Sequence, residues 1–246
     1  MKKQIFIVAI LILVKTFCFA QQTFFGEVSI DYVKTVAYWP LAKEMWPEWF
    51  EQGKDNMPKE ITSYFNFTGD SLHSVYKRTK EADVQRGMWF ITFAEENVVY
   101  NDYKAGTTTT YKPIYEETFL LQDSLLKIKW KITPDTRNIA GFNCHKAIGI
   151  LYDTVAVFAF YTDEIAINGG PEGVQGLPGM ILGIGIPRLH TTWFATKVRV
   201  LDVNMKSVTP SVKGKKTSRA SMLTTLNKVM KDWDQFGKKM LLGFVL

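Results

Sequence analysis

Residues 126–132 alternate without a break: Leu126, Ile128, Trp130 and Ile132 are apolar, and Lys127, Lys129 and Lys131 stand between them. Wound into a helix, the lysines would be scattered around the axis. An extended strand, whose successive side chains point to opposite faces, buries the first set and leaves the second in water. The lysines therefore read as a solvated face. The same period recurs in Val28, Ile30 and Tyr32, which interleave with Glu27, Ser29 and Asp31. Further strand-like runs cover residues 61–67, 72–78, 88–93, 98–103, 107–111, 117–121, 142–151, 155–162, 180–184 and 191–201, with short polar turns such as Thr68-Gly69-Asp70 and Gln122-Asp123-Ser124 between some of them. Connections this short cannot carry the crossover that parallel strands need. The expected fold is mainly β: a single curved antiparallel sheet, an open-barrel-like meander, in one domain over residues 21–246.

Two segments break the alternation. Residues 41–52 can form a short N-terminal helix with Met45, Trp46, Trp49 and Phe50 on one side, limited by Pro47. In residues 217–241 the apolar side chains Met222, Leu226, Val229, Met230, Trp233 and Met240 recur at helical spacings, and Thr217 or Ser218 can cap the start. This C-terminal amphipathic helix is expected to lie on the sheet. Residues 206–216, with Lys213, Lys215 and Lys216 close together, read as an exposed basic linker before it.

The first twenty residues read as a cleavable signal peptide: Lys2 and Lys3, the apolar run 5–14, then Cys18-Phe19-Ala20 ahead of Gln21. Ten apolar residues are too few to span a bilayer, and no later stretch is longer and equally apolar, so no transmembrane segment is expected in residues 21–246. The formal charge of the chain is +6, but Lys2, Lys3 and Lys15 lie in the leader; without them it is +3, too mild for a nucleic-acid partner. Cys18 lies there too. Cys144 is then alone, and no disulfide can form within residues 21–246.

Candidate chemistry is sparse. Cys144 and His145 are adjacent, but neighbours on a strand face opposite ways and cannot share a proton or a metal. Cys144 falls in phase with Phe142 and Ile148, as a small buried hydrophobe would. His73 and His190 stand far apart in the sequence, and no spacing calls for a metal or another cofactor. There is no nucleophile elbow, phosphate loop or zinc-protease pattern.

Residues 168–182 are dense in glycine. In Leu177-Pro178-Gly179-Met180, proline fixes one φ and glycine supplies a positive one, which predicts a type II turn leading into a strand. Gly176-Leu177-Pro178-Gly179-Met180-Ile181 resembles the six-residue signature of the GLPGLI family of exported Bacteroidota proteins, with Met180 in place of leucine. Upstream, residues 139–147, Phe160-Tyr161-Thr162 and Gly170-Pro171 follow the order of that family's pattern. The resemblance implies a secreted, mostly β protein of the periplasm or outer membrane. It supplies no catalytic residues, and Gly170, Pro171, Gly176, Leu177, Pro178 and Gly179 become the candidate binding loop. The reading that follows is a non-enzymatic binding or accessory module for a lipophilic ligand or an outer-membrane transport protein. An envelope enzyme or redox protein centred on Cys144 or a histidine cluster is the alternative.

Overall fold

Alternating apolar residues need a covered face, and a twelve-stranded sheet supplies it. The computed structural model describes residues 25–80, 94–200 and 203–246, the side chains of 234–236 excepted. The segment read as a signal peptide, Gln21 and the strand expected over 88–93 lie outside the described residues. The first six strands are β1 (Glu27–Ala37), β2 (Glu60–Asp70), β3 (His73–Lys80), β4 (Val98–Asp102), β5 (Thr107–Ile114) and β6 (Glu117–Ser124). Then come β7 (Lys131–Ile139), β8 (Phe142–Leu151), β9 (Val155–Thr162), β10 (Met180–Ile186), β11 (Thr191–Arg199) and β12 (Lys215–Thr217).

Their order in the sheet is β12-β6-β5-β4-β3-β2-β1-β11-β10-β9-β8-β7. Two meanders, β1–β6 and β7–β11, are thus joined at a seam where β1 pairs antiparallel with β11, Lys34 opposite Trp193. Register shifts at Asp31/Tyr32 in β1 and Ile181/Gly183 in β10 bend the sheet as bulges do. The second meander coils until the end of β7 returns to β11, where the Arg137 guanidinium lies 4.5 Å from the Phe194 ring centroid. On β1 the inward set is Val28, Ile30, Tyr32, Lys34 and Val36, all buried.

Several expectations need correction. Antiparallel pairing is general but not complete, because β12 runs parallel to β6, Lys215 opposite Phe119. The segment read as a basic linker therefore ends as a strand, although Lys206, Lys213, Lys215 and Lys216 are exposed as expected. The 126–132 run is extended in its burial pattern yet joins a ladder only from Lys131. Its Leu126, Ile128 and Trp130 pack on the core, while Ile132 is exposed.

Each expected helix is two. Near the N-terminus α1 (Tyr38–Met45) and α2 (Pro47–Gly53) are separated at Trp46, because Pro47 lacks the N–H that would continue the first. Trp49 is 77% exposed, so it does not share the buried side with Met45 and Phe50. At the C-terminus α3 (Arg219–Val229) stops at Met230, and α4 (Asp234–Phe244) follows a single 3₁₀ turn. Ser218 caps α3 by accepting from Ser221 N–H, as expected. The Arg219 guanidinium donates to the carbonyl of Val245, so the start of α3 meets the end of α4 and the two run antiparallel. Met222, Leu226, Met230 and Met240 are buried, but Val229 and Trp233 face solvent at the break. Among the described residues, no helix is long and apolar enough to cross a membrane.

Candidate functional site

The glycine-rich segment 163–179 does not hang at the surface. It leaves β9, turns inward, and its 3₁₀ turn Pro171–Gly173 touches β3, β4 and β10, bridging the two meanders from inside. Gly169 lies so close to Tyr103 and Phe67 that a Cβ there would sit 2.7 Å from the tyrosine oxygen. Gly170, Pro171, Leu177 and Gly179 are buried; Gly176 and Pro178 are exposed. The expected type II turn is replaced by a tighter one. Gly179 N–H donates to Leu177 C=O at 2.8 Å, a three-residue turn centred on Pro178, while Met180 N–H goes to Ile165 C=O instead. Glycine is required at 179, because φ is +143° and a Cβ would stand 2.1 Å from the Thr162 carbonyl oxygen.

This segment, an internal plug, carries one charged side chain into the interior. Glu172 has φ of 55°, a left-handed conformation that costs a non-glycine residue free energy, and its carboxylate is buried. Asn97 Nδ2 donates to Glu172 Oε2 at 3.0 Å, and Lys112 Nζ donates to Asn97 Oδ1 at 3.1 Å. Alongside, Lys34 Nζ donates to Glu95 Oε1 at 2.7 Å and lies 5.5 Å from the Trp193 ring centroid. Lys34 and Lys112 are each only 1% exposed. Strands β1 and β5, the segment before β4 and the plug thus bring two ammonium and two carboxylate groups into the core.

Burial pushes the Lys112 ammonium down to about 7, with the positive charge of Arg219 acting the same way. Burial raises Glu172, against the pull of Lys34 and the Asn97 hydrogen bond. Burial also lifts the Tyr76 phenol well above its ordinary value. Glu95 Oε2, Glu172 Oε1 and Asn101 Oδ1 are buried without a hydrogen-bond partner. Each such group costs on the order of 1–3 kcal/mol, which a chain selected only for stability would shed.

The cluster opens outward through a cavity of about 280 Å³ lined by Glu95, Glu96, Asn97, Lys112, Tyr115 and Phe244, among others. Tyr115 marks its mouth: it is 68% exposed, held at φ 54° in the β5–β6 turn, and set edge-on against Phe244 with centroids 6.0 Å apart. An exposed aromatic face beside carboxylate, carboxamide and ammonium groups suits a small ligand rich in hydroxyls.

The other candidates do not converge. Cys144 is fully buried and burial pushes its thiol up to about 11, so a thiolate nucleophile is absent at neutral pH. His73 lies 3.9 Å from Asp102, His145 packs on Tyr161, and His190 bonds Glu44 at 2.7 Å. Among the described residues no three His, Cys, Asp or Glu side chains are placed to hold a metal.

The family model for "N-glycanase peptide, N-terminal domain" matches residues 91–226. Structures of PNGF-II solved in P21 and C2 space groups each resemble this chain with a TM-score of 0.52 at 16% identity. The likeness covers 81% and 79% of this chain but only 33% and 31% of those chains, so the protein spans about a third of their length. At that identity the likeness establishes the fold alone. No curated protein matches the sequence.

Proposed function

The chain belongs to the N-glycanase peptide, N-terminal domain family, and on that premise we propose that it is an exported, non-enzymatic module of the cell envelope that binds a saccharide unit of a glycan at the Tyr115 pocket. The observation that carries this reading is the pocket's composition: Glu95 and Glu96 can accept from sugar hydroxyls, the buried Asn97 and Lys112 form its floor, and the Tyr115 ring offers a platform for a pyranose face. About 280 Å³ is room for one sugar ring and not for a long acyl chain. The family's printed name, an N-glycanase, points to the same substrate class.

Export rests on the charged, apolar and small-residue zones of residues 1–20, and kinship with the GLPGLI group rests on the ordered motifs from 139 to 181. In this reading Gly170, Pro171, Gly176, Leu177, Pro178 and Gly179 form the frame that holds Glu172 under the pocket. A lipophilic ligand inside the curved sheet is disfavoured, because Val28, Ile30, Tyr32, Phe67, Ile181 and Leu182 fill that space.

A glycan array followed by calorimetry on the purified protein tests the reading. Saturable binding of one saccharide class is expected, weakened at least tenfold by Tyr115→Ala with no change in melting temperature. Absence of any glycan ligand, or unchanged affinity in the variant, overturns it.

A further inference from the structure

A second cavity, of about 470 Å³, lies on another side of α4, where the helix pair meets one end of the sheet. Four half-buried aliphatic side chains, Leu223 from α3 with Leu241, Leu242 and Val245 from the end of the chain, form part of its wall. Its charged lining consists of two exposed cations from distant parts of the sequence: Arg188 in the turn between β10 and β11, and Lys238 on α4. Asn227 adds a carboxamide, Thr154 and Thr224 add hydroxyls, and among the described residues no carboxylate lines the space.

Glu44 binds both His190, two residues beyond Arg188, and Lys239, next to Lys238, while Arg188 and Lys238 form no ion pair among the described residues. Two unneutralised cations facing one concavity raise the local potential and concentrate an anion there. Aliphatic walls next to them reward a ligand that also brings an apolar chain out of water, at roughly 0.8 kcal/mol per buried methylene. The volume falls in the range of small-molecule sites.

We infer that this cavity binds an anionic amphiphile, a single alkyl chain ending in a phosphate or carboxylate, with Arg188 and Lys238 on the head and Leu223, Leu241 and Leu242 along the chain. The inference is independent of the saccharide pocket: Tyr115 and Phe244 line that pocket and neither lines this one.

Calorimetry with dodecyl phosphate below its micelle concentration tests it, with inorganic phosphate and dodecylphosphocholine as head-only and charge-neutralised probes. Expected are one saturable site for dodecyl phosphate and a negative heat-capacity change from chain burial. Both other probes should bind at least tenfold more weakly. The exposed double substitution R188Q/K238Q should weaken dodecyl phosphate at least tenfold with an unchanged melting temperature, and Tyr115→Ala should leave it unaltered. Equal binding by the double variant means unselective association and overturns the inference. So does inorganic phosphate binding as tightly as the amphiphile, or no saturable site for dodecyl phosphate.

Discussion

The two meanders share one sheet and one period, yet their interiors differ in kind. Inside β8–β11 the buried set carries no charge: Ala147, Leu151, Val155, Val157, Ala159, Ile184 and Trp193, with the neutral Cys144, Thr162 and Thr191. Inside β1–β6 the same register positions hold Lys34, Lys112 and Asn101 next to Phe65 and Tyr76, and the plug adds Glu172. The apolar half needs nothing beyond shape complementarity. The charged half stands only because each ammonium finds an oxygen, and it still leaves buried polar atoms unmet. Buried charged groups gathered beneath one outward cavity mark where the fold serves something other than its own stability.

Breaking the charged half should have the largest effect. Lys34→Met strands Glu95 in a nearly dry site and should lower unfolding free energy by about 3–5 kcal/mol in a denaturant titration at neutral pH; a loss below about 1 kcal/mol would mean that the pair is solvated. Gly179→Ala strikes the plug that spans both halves, and its clash with the Thr162 carbonyl should cost about 3 kcal/mol.

A smaller effect is readable with pH. An unfolded lysine keeps its proton to about pH 10, whereas folded Lys112 releases it near 7. Between those values the unfolded chain holds the extra proton, so raising pH favours the folded state. Stability should climb by about 1 kcal/mol per unit from pH 7 to 8.5, and Lys112→Met should flatten the climb. Above that window Cys144 acts in the opposite sense, because its folded thiol holds a proton that the unfolded one loses. The smallest effect belongs to the apolar half: Ile184→Val should cost about 0.5–1.5 kcal/mol, with no pH dependence.

Where one face is buried and the other wet, the alternation located the strands well. Residues 142–151 and 155–162 are strands over the expected bounds, and β1 and β2 extend the expected runs. β7 escaped notice because it is an edge strand carrying Pro134, and most of its residues face water, so no apolar period marks it. β12 is three residues whose pairing with β6 depends on distant chain. The breaks at Trp46 and Met230 hid inside continuous apolar stripes. Pro47 foretold the first, and the second arises where Gly237 lets α4 close on the Met230 carbonyl.

The candidate site was partly visible. The loop stood out by its glycines, although its burial did not. Lys34 and Lys112 could have been found by asking which lysines fall on inward positions: Lys34 continues Val28, Ile30 and Tyr32 in phase, and Lys112 lies two residues before the buried Ile114. Glu95, Asn97 and Glu172 come together only through the tertiary path of the plug, which no local spacing encodes.

The seam between β1 and β11 also fixes an order of events in time. Its partners, from Val36 with Thr191 to Ser29 with Arg199, stand roughly 155 to 170 positions apart in the chain, whereas β1 reaches β2 across a connection closed at Ala37 and Glu60. Loop-closure entropy makes such distant pairings slow relative to local hairpins. Each meander can therefore condense early and separately, and the joining of β1 to β11 becomes the late kinetic step, during which β1 offers an open edge to any other extended chain it meets.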